Sequence, residues 1–379
     1  MEGAEAILKT TPLYEEHVAL GARMAEFGGW DMPIQYEGIL AEHHHTRTKT
    51  GLFDICHMGE FELTGPTAAA DLENLLTMKI STLAIGQCRY GFLLNEQGGV
   101  IDDLTCYRLG EERYMLVVNA ATLKGDADWI RAHLSSETIF TDLSDELAKL
   151  DVQGPQARSD LEAVLGPIPD LGYFKAVFFQ AQGTDFILSR TGYTGELGYE
   201  LYFQASEAVR IWHALLANEN IKPIGLGARD TLRLEMGYSL YGHELSRDRT
   251  PSGVSRGMFI KKEGDFVGRD AVFQTLENPT ELLVALEFKN KRAARAGDNV
   301  FHPPSPEGSG VTGTLEKLEV GVVTSGSLSP SLGKAVALAL VKPDAAEVGT
   351  ILEVEIRGKR FPATVVNLPF YKNGTARKI

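Results

Sequence analysis

Positive charge, cysteine and long apolar runs are all scarce in this chain of 379 residues. Lys and Arg total 37 against 51 Asp and Glu, a formal net charge of −14. A protein that coats DNA or RNA needs a basic footprint, so this balance argues against a general nucleic-acid role and leaves room only for local basic patches. The three cysteines, Cys56, Cys88 and Cys106, form no CxxC pair. They supply neither a disulfide framework nor a zinc knuckle, and they fit a reducing compartment. No apolar run reaches the roughly 18 residues that a spanning helix needs, so no membrane partner is expected. The N-terminus carries Glu2 and Glu5. It lacks the basic start and apolar stretch of a secretory signal and the Arg-rich, acid-poor character of a transit peptide. The expected location is the bacterial cytoplasm, or the mitochondrial matrix for a processed eukaryotic form.

Several familiar signatures are also missing. Gly225-Leu226-Gly227 continues as Ala228-Arg229-Asp230, without the third glycine of a dinucleotide fingerprint. No GxxxxGK[ST] phosphate loop occurs. Gly253-Val254-Ser255-Arg256-Gly257 matches GxSxG, but a nucleophile elbow follows an apolar strand, and here Arg247-Asp248-Arg249 precedes it.

What remains is a chain long enough for two or three domains, with ordinary globular proportions of 44% hydrophobic and 23% charged residues. The patterning predicts helices at 14–27, 67–76, 123–134, 156–165, 206–217 and 227–237, and strands at 59–65 and 114–118. A hairpin is expected where the apolar run 90–95 meets Glu96-Gln97-Gly98-Gly99 and a second strand, 100–109. Hairpins are too frequent for a doubly wound parallel sheet, so the fold class is α+β with mainly antiparallel sheets. From about 277 the chain changes to short strands at 282–288, 319–324, 334–341, 350–357 and 361–366, which predict a small β-barrel. The Pro/Gly/Ser-rich stretch 302–313 is expected to be a surface loop within it.

Some residue groups invite chemistry. His43-His44-His45 lie on a predicted helix, where consecutive side chains point apart. They are expected to form a solvated surface and not a metal site. Cys56-His57 has no spaced partner pair for zinc. In the strand after the hairpin turn, Ile101, Asp103, Thr105 and Tyr107 share one face and Asp102, Leu104 and Cys106 the other. Of two adjacent carboxylates, one can therefore enter a cleft while its neighbour cannot; both could equally be solvated beside the turn. The run Thr191–Glu200 sets three glycines among two tyrosines, suited to close approach of a ligand or to a plain glycine turn. Arg229 and Arg233 share a helix face, either as a surface ion-pair ladder or as a clamp on a ligand carboxylate. Lys289, Lys291, Arg292 and Arg295, with Lys372, Arg377 and Lys378, are the basic clusters of this acidic chain. They are either solvated charge or a docking face.

Taken together, Thr11-Pro12-Leu13, Phe27-Gly28-Gly29-Trp30-Asp31-Met32-Pro33, Phe53-Asp54, His57-Met58-Gly59-Glu60, Asn95 with Gly98–Asp103, Gln153-Gly154-Pro155, Ser189–Glu196, Gly225–Asp230 and Thr324-Ser325-Gly326 occur in an order that resembles the aminomethyltransferases, the T-proteins of the glycine cleavage system. The resemblance runs from about Thr11 to Tyr371. It implies a three-lobed cloverleaf with a central ligand channel: residues 1–276 as two intertwined α+β lobes that bind folate, and 277–379 as a C-terminal β-barrel. It also implies transfer of an aminomethyl-derived one-carbon unit from the dihydrolipoyl arm of a lipoylated H-protein to tetrahydrofolate, with no metal, flavin or NAD. The residues that match family positions are Asp103 as catalytic carboxylate, Glu200 as pterin-contacting acid, Met58, Tyr90 and Tyr193 in the pocket, Arg229 at the glutamyl carboxylate, and Tyr371 as a C-terminal contact. A buried carboxylate suits the donor edge of a pterin, apolar and aromatic walls suit its ring, and Arg suits the glutamate tail. Two alternatives share the fold: a non-catalytic folate-binding or regulatory protein, and a folate-dependent demethylase. The Lys-Gly-Cys-Tyr-type motif of folate proteins of iron–sulfur assembly is absent, and at 379 residues no fused flavin domain is expected. Lys149-Leu150-Asp151-Val152 carries charges where the family is usually more apolar. Neither this strand nor the 302–313 stretch is expected to touch the pocket.

Overall fold

The computed structural model describes residues 7–254, 257–261, 263–303 and 319–378. Three β-structures dominate it. One sheet has five strands in the spatial order Gln87–Leu94, Val100–Gly110, Arg113–Val118, Gly59–Thr64 and Ile139–Asp142. A second has six, in the order Ala176–Ala181, Thr184–Ser189, Gly198–Gln204, Leu147–Gln153, Thr50–Asp54 and Ile221–Pro223. The remaining strands from Leu282–Phe288 to Lys359–Val366 close into a six-stranded barrel. Among the described strands every ladder is antiparallel except the short one joining Ile221–Pro223 to Thr50–Asp54. The α+β class and the C-terminal barrel are therefore as the sequence leads one to expect. No helix among the described residues is long and apolar enough to cross a membrane.

Strand alternation explains the layering. One face of the five-stranded sheet sends Phe61, Leu63 and Leu116 against Leu72 and Leu75 of helix Ala68–Leu75 and Ile130 of helix Leu123–His133. One face of the six-stranded sheet sends Leu150, Val152 and Leu201 against Leu161 of helix Ala157–Leu165 and Trp212 of helix Ala208–Leu216. The other two faces are turned toward each other: Tyr107, Met115 and Val117 of the first meet Tyr202 and Ala176 of the second. The sheets are also stitched along this seam, where the Cys88 amide donates to Phe174 O and the Ala176 amide to Gly86 O. The functional side chains collect between these two inner faces.

Helix Leu226–Met236 packs on helix Ile39–Thr48 and on the barrel strand Glu319–Ser329. Arg233 donates to Ser325 Oγ at 2.9 Å and Glu235 accepts from Ser329 Oγ at 2.5 Å, so the barrel is docked by buried polar contacts. The last described residues return to the N-terminal region as a strap. The Tyr371 amide donates to Glu235 O and the Ala376 amide to Gly195 O, Thr375 Oγ1 donates to Glu196 at 2.5 Å, and Arg190 reaches Ala376 O and Lys378 O at 3.2 and 2.9 Å.

Two expectations need correction. The predicted helix 14–27 ends at Ala19, and Arg23–Phe27 is a strand. Val18 and Leu20, the apolar positions of that pattern, are each 47% exposed, so no core holds the helix onward. Gly21 turns the chain at φ 73°. Strand Arg23–Phe27 then pairs with Trp30–Gln35 through Gly28 and Gly29, both at positive φ, as a tight hairpin turn requires. The histidine run is helical but not solvated. His43 is fully buried, with Nδ1 2.8 Å from Thr231 Oγ1 and Nε2 2.9 Å from Ser331 Oγ. His45 Nε2 donates to the carbonyls of Thr50 and Asn220, and only His44 is exposed. Ser255 and Arg256 of the GxSxG match, and residues 304–313 of the expected loop, lie outside the described residues.

Candidate active site

Between the inner faces of the two sheets lies a cavity of about 350 Å³, within the range of small-molecule sites. Met58, Tyr90, Asp103, Tyr193, Glu200 and Arg229 all line it. It divides into an acid end, a pole around Glu200 and an arginine side.

At the acid end, strand pairing sets Asp103 opposite Phe92 and Thr105 opposite Tyr90, so Tyr90 and Asp103 rise from the same face. Tyr90 Oη donates to Asp103 Oδ2 at 2.9 Å. Asn119, just past strand Arg113–Val118, donates through Nδ2 to Asp103 Oδ1 at 2.9 Å. Burial, reinforced by the neighbouring Asp102 charge, raises the Asp103 carboxyl to about 7 despite these two donors. Asp102 is fully buried behind it and does not line the cavity. It accepts from the Asn119 amide at 2.9 Å and from Asn119 Nδ2 at 2.8 Å. One asparagine thus binds both carboxylates, although they leave opposite faces of the strand. Burial, then the charge of Asp126, holds Asp102 well above its ordinary range.

The Glu200 pole rests on the alternation of strand Leu147–Gln153. Leu150 and Val152 enter the core, while Lys149 and Asp151 point the other way. Glu200 is paired with Asp151 and with Ser189 on its two flanking strands. Its Oε2 accepts from Thr191 Oγ1 at 2.6 Å, Tyr202 Oη at 3.1 Å and Tyr107 Oη at 3.3 Å. Burial pushes the Glu200 carboxyl up, but Lys149, the Thr191 hydroxyl and Arg229 more than offset it and hold it below the ordinary value. Lys149 lines the cavity and Asp151 accepts from Arg229 Nη1 at 2.9 Å, so the expectation that this strand stands apart from the pocket is wrong. The charges follow the cavity-facing period of two.

On the arginine side, the Arg229 guanidinium lies 4.9 Å from the Tyr193 ring centroid. Tyr193 donates to Ser239 O and stacks on Tyr238. Arg233 is buried and committed to Asp230, Glu244 and Ser325, so neither arginine belongs to a surface ladder. Tyr371 does not line the cavity. Its ring lies 4.1 Å from the Arg47 guanidinium, which is itself held by Glu196 and Glu235 at 2.9 Å each. The glycines of 191–198 make room for protein groups: a Cβ on Gly198 would stand 1.9 Å from Gln153 Nε2, the side chain that braces Thr191 O and Thr194 Oγ1.

Sequence reasoning passed over Asn119, Lys149 and His57 as site residues. His57 lines the cavity, and burial lowers its imidazole to about 4, leaving it neutral at physiological pH. The signal for Lys149 was present in the polar–apolar alternation of residues 149–153. Asn119 carried none, because its role depends on a cross-strand register. Among the described residues no group of three or more His, Cys, Asp and Glu is placed to hold a metal ion.

Compared with known proteins, the chain matches the family model for the GCVT N-terminal domain over residues 13–264. It matches that for the glycine cleavage T-protein C-terminal barrel domain over residues 282–372. It is 43% identical over 378 residues to the aminomethyltransferase of Shouchella clausii, covering 97% of this chain and 99% of the relative. To that of Herpetosiphon aurantiacus it is 44% identical over 373 residues, covering 96% and 99%. Its structure is similar to the crystal structure of glycine cleavage system aminomethyltransferase T from Bartonella henselae, with a TM-score of 0.89, 35% identity and coverage of 97% of this chain and 99% of that one.

Proposed function

Because the chain belongs to the glycine cleavage T-protein family of aminomethyltransferases, we propose that Asp103 is the catalytic carboxylate of its reaction and that Met58, Tyr90, Tyr193, Glu200 and Arg229 hold its folate substrate. The activity is a tetrahydrofolate-dependent transfer of the aminomethyl-derived carbon, which releases ammonia and forms 5,10-methylenetetrahydrofolate. The carbon arrives on the dihydrolipoyl arm of the H-protein. Two carbon–nitrogen bonds form to the folate, while the carbon–sulfur and carbon–amine bonds break. The two protons leaving the folate nitrogens match the two taken up by the thiolate and the departing amine.

Asp103 is suited to that exchange. A carboxyl titrating at about 7 can take a proton from the attacking nitrogen and return it to the amine, and general acid–base catalysis is most effective near the working pH. Tyr90 and Asn119 fix the two carboxylate oxygens. The observation that carries this reading is the presence of this carboxyl in one cavity with an ionised Glu200 and an arginine. Glu200 meets the N–H edge of the pterin, Met58 and Tyr193 wall its ring, and Arg229 faces the glutamyl tail. Tyr371 stands outside this set and braces Arg47. No metal, flavin or nicotinamide takes part in this scheme. The test is ammonia release from aminomethylated H-protein with and without tetrahydrofolate. Ammonia and methylenetetrahydrofolate should appear in equal amounts and only with folate present; folate-independent release at the same rate would refute the reading.

A further inference from the structure

Lys149 is a buried amine with little to bind. Its side chain is 2% exposed and it lines the cavity. Its nearest polar neighbours are Met58 Sδ at 3.7 Å and Glu200 Oε1 at 3.9 Å, and the Tyr202 ring centroid lies 5.1 Å away. Among the described residues no oxygen lies within direct hydrogen-bond reach of Nζ, yet a lysine carries three donors and buried donors are ordinarily satisfied. Glu200 shows the complementary vacancy. Three hydroxyls converge on its Oε2, while among the described residues Oε1 accepts no hydrogen bond and has Lys149 at 3.9 Å. A free acceptor and free donors therefore stand side by side on one wall, both supplied by strand positions that face the cavity.

We propose that Lys149 is a direct ligand contact that reads the ring carbonyl of the pterin, next to the N–H edge taken by Glu200. The inference rests on the folate reading given above and deepens it. The pair recognises a cyclic amide, a carbonyl oxygen beside N–H groups, and a ring with an apolar substituent at that carbon would leave the Lys149 donors unmet. Each unmet donor in a dry site costs more than the bond it replaces gains.

The test is folate affinity of the whole protein, measured by calorimetry with tetrahydrofolate as the probe. Lys149→Met keeps the length and removes the donors. It should raise Kd by about 10- to 100-fold, the range of a hydrogen bond to a charged group, with the melting temperature close to that of the parent. A second arm separates direct contact from action through Glu200, which is faced by Lys149, Asp151, Glu60, Arg229, Tyr107 and Tyr202. A lysine acting only by keeping Glu200 ionised would matter less as the pH is raised from 6.5 to 8.5, because alkali favours the ionised carboxylate without it. A lysine touching the ring should give the same deficit at both. An unchanged Kd, or a deficit that shrinks toward pH 8.5, overturns the proposal. If Lys149→Met does not fold, Lys149→Gln, which keeps one donor, should show a smaller deficit with the same pH independence, and an unaltered Kd would again overturn it. Failure of the unsubstituted protein to bind tetrahydrofolate would instead sink the folate reading itself.

Discussion

The clearest handle on Asp103 is the hydrogen bond from Tyr90. A carboxyl titrating near about 7 is about one-tenth ionised at pH 6 and about nine-tenths at pH 8, so kcat at saturating substrates should rise about ten-fold across that interval. With the ordinary value of 3.8 it would be flat there. Tyr90 Oη donates at 2.9 Å and stabilises the ionised form. Such a bond to a charged acceptor contributes about 1.5–3 kcal/mol, and a pKa unit corresponds to about 1.36 kcal/mol. Tyr90→Phe should therefore move the limb up by about one to two pH units and lower kcat at pH 7 by about 5- to 50-fold, with the gap closing in alkali. Asp103→Asn removes the limb and should cost about 10²–10⁴ in kcat on the alkaline side, with the gap narrowing toward acid. Asp102→Asn, behind the cavity, should cost far less and act on stability. The assay is folate-dependent ammonia release with aminomethylated H-protein from pH 5.5 to 9.5. A flat wild-type profile, a Tyr90→Phe limb that coincides with the parent's, or a fully active Asp103→Asn would refute the assignment.

Asp126 is fully buried, and burial raises its carboxyl to about 7. The folded state keeps a proton that the unfolded chain releases near 3.8, so its stabilising contribution is complete below about pH 4 and is lost as pH rises toward 7. The melting temperature should fall between pH 5 and 8, and Asp126→Asn should flatten that fall; an identical slope would be evidence against it. Activity should survive exhaustive chelation, and a loss reversed by a divalent ion would contradict the metal-free scheme. Reversing the charge at Arg292 and Lys372 should raise KM for H-protein, chiefly at low ionic strength, where exposed charges steer association most. An unchanged KM at low salt would remove the docking role.

Elements with a clean period are legible in the chain itself. The hairpin around Glu96–Gly99 and the barrel strands announce themselves through alternation and turn chemistry, and helix Leu226–Met236 through its spacing and the glycine that follows it. What failed depended on what lies opposite. Val18 and Leu20 look like a helix face, but no surface covers them. His43 looks like surface, but Thr231 and Ser331 meet it from residues far along the chain. The site behaved likewise. Asp103 could be placed on a strand face, whereas Asn119, Lys149 and the hydroxyls around Glu200 become partners only when two sheets are set face to face.

The strap of residues 369–378 makes the order of synthesis matter. Glu196 and Thr375 are 179 positions apart. At roughly 5–20 residues per second, a nascent chain that has exposed Glu196 waits roughly ten to forty seconds for that partner. During that interval Arg47 lacks the Tyr371 ring and Gly195 O lacks the Ala376 amide. A ribosome that stops short of Pro369 therefore releases a polypeptide with every cavity-lining residue and no strap to fasten them. Loss of residues 369–378 should therefore loosen a cavity whose lining is otherwise complete.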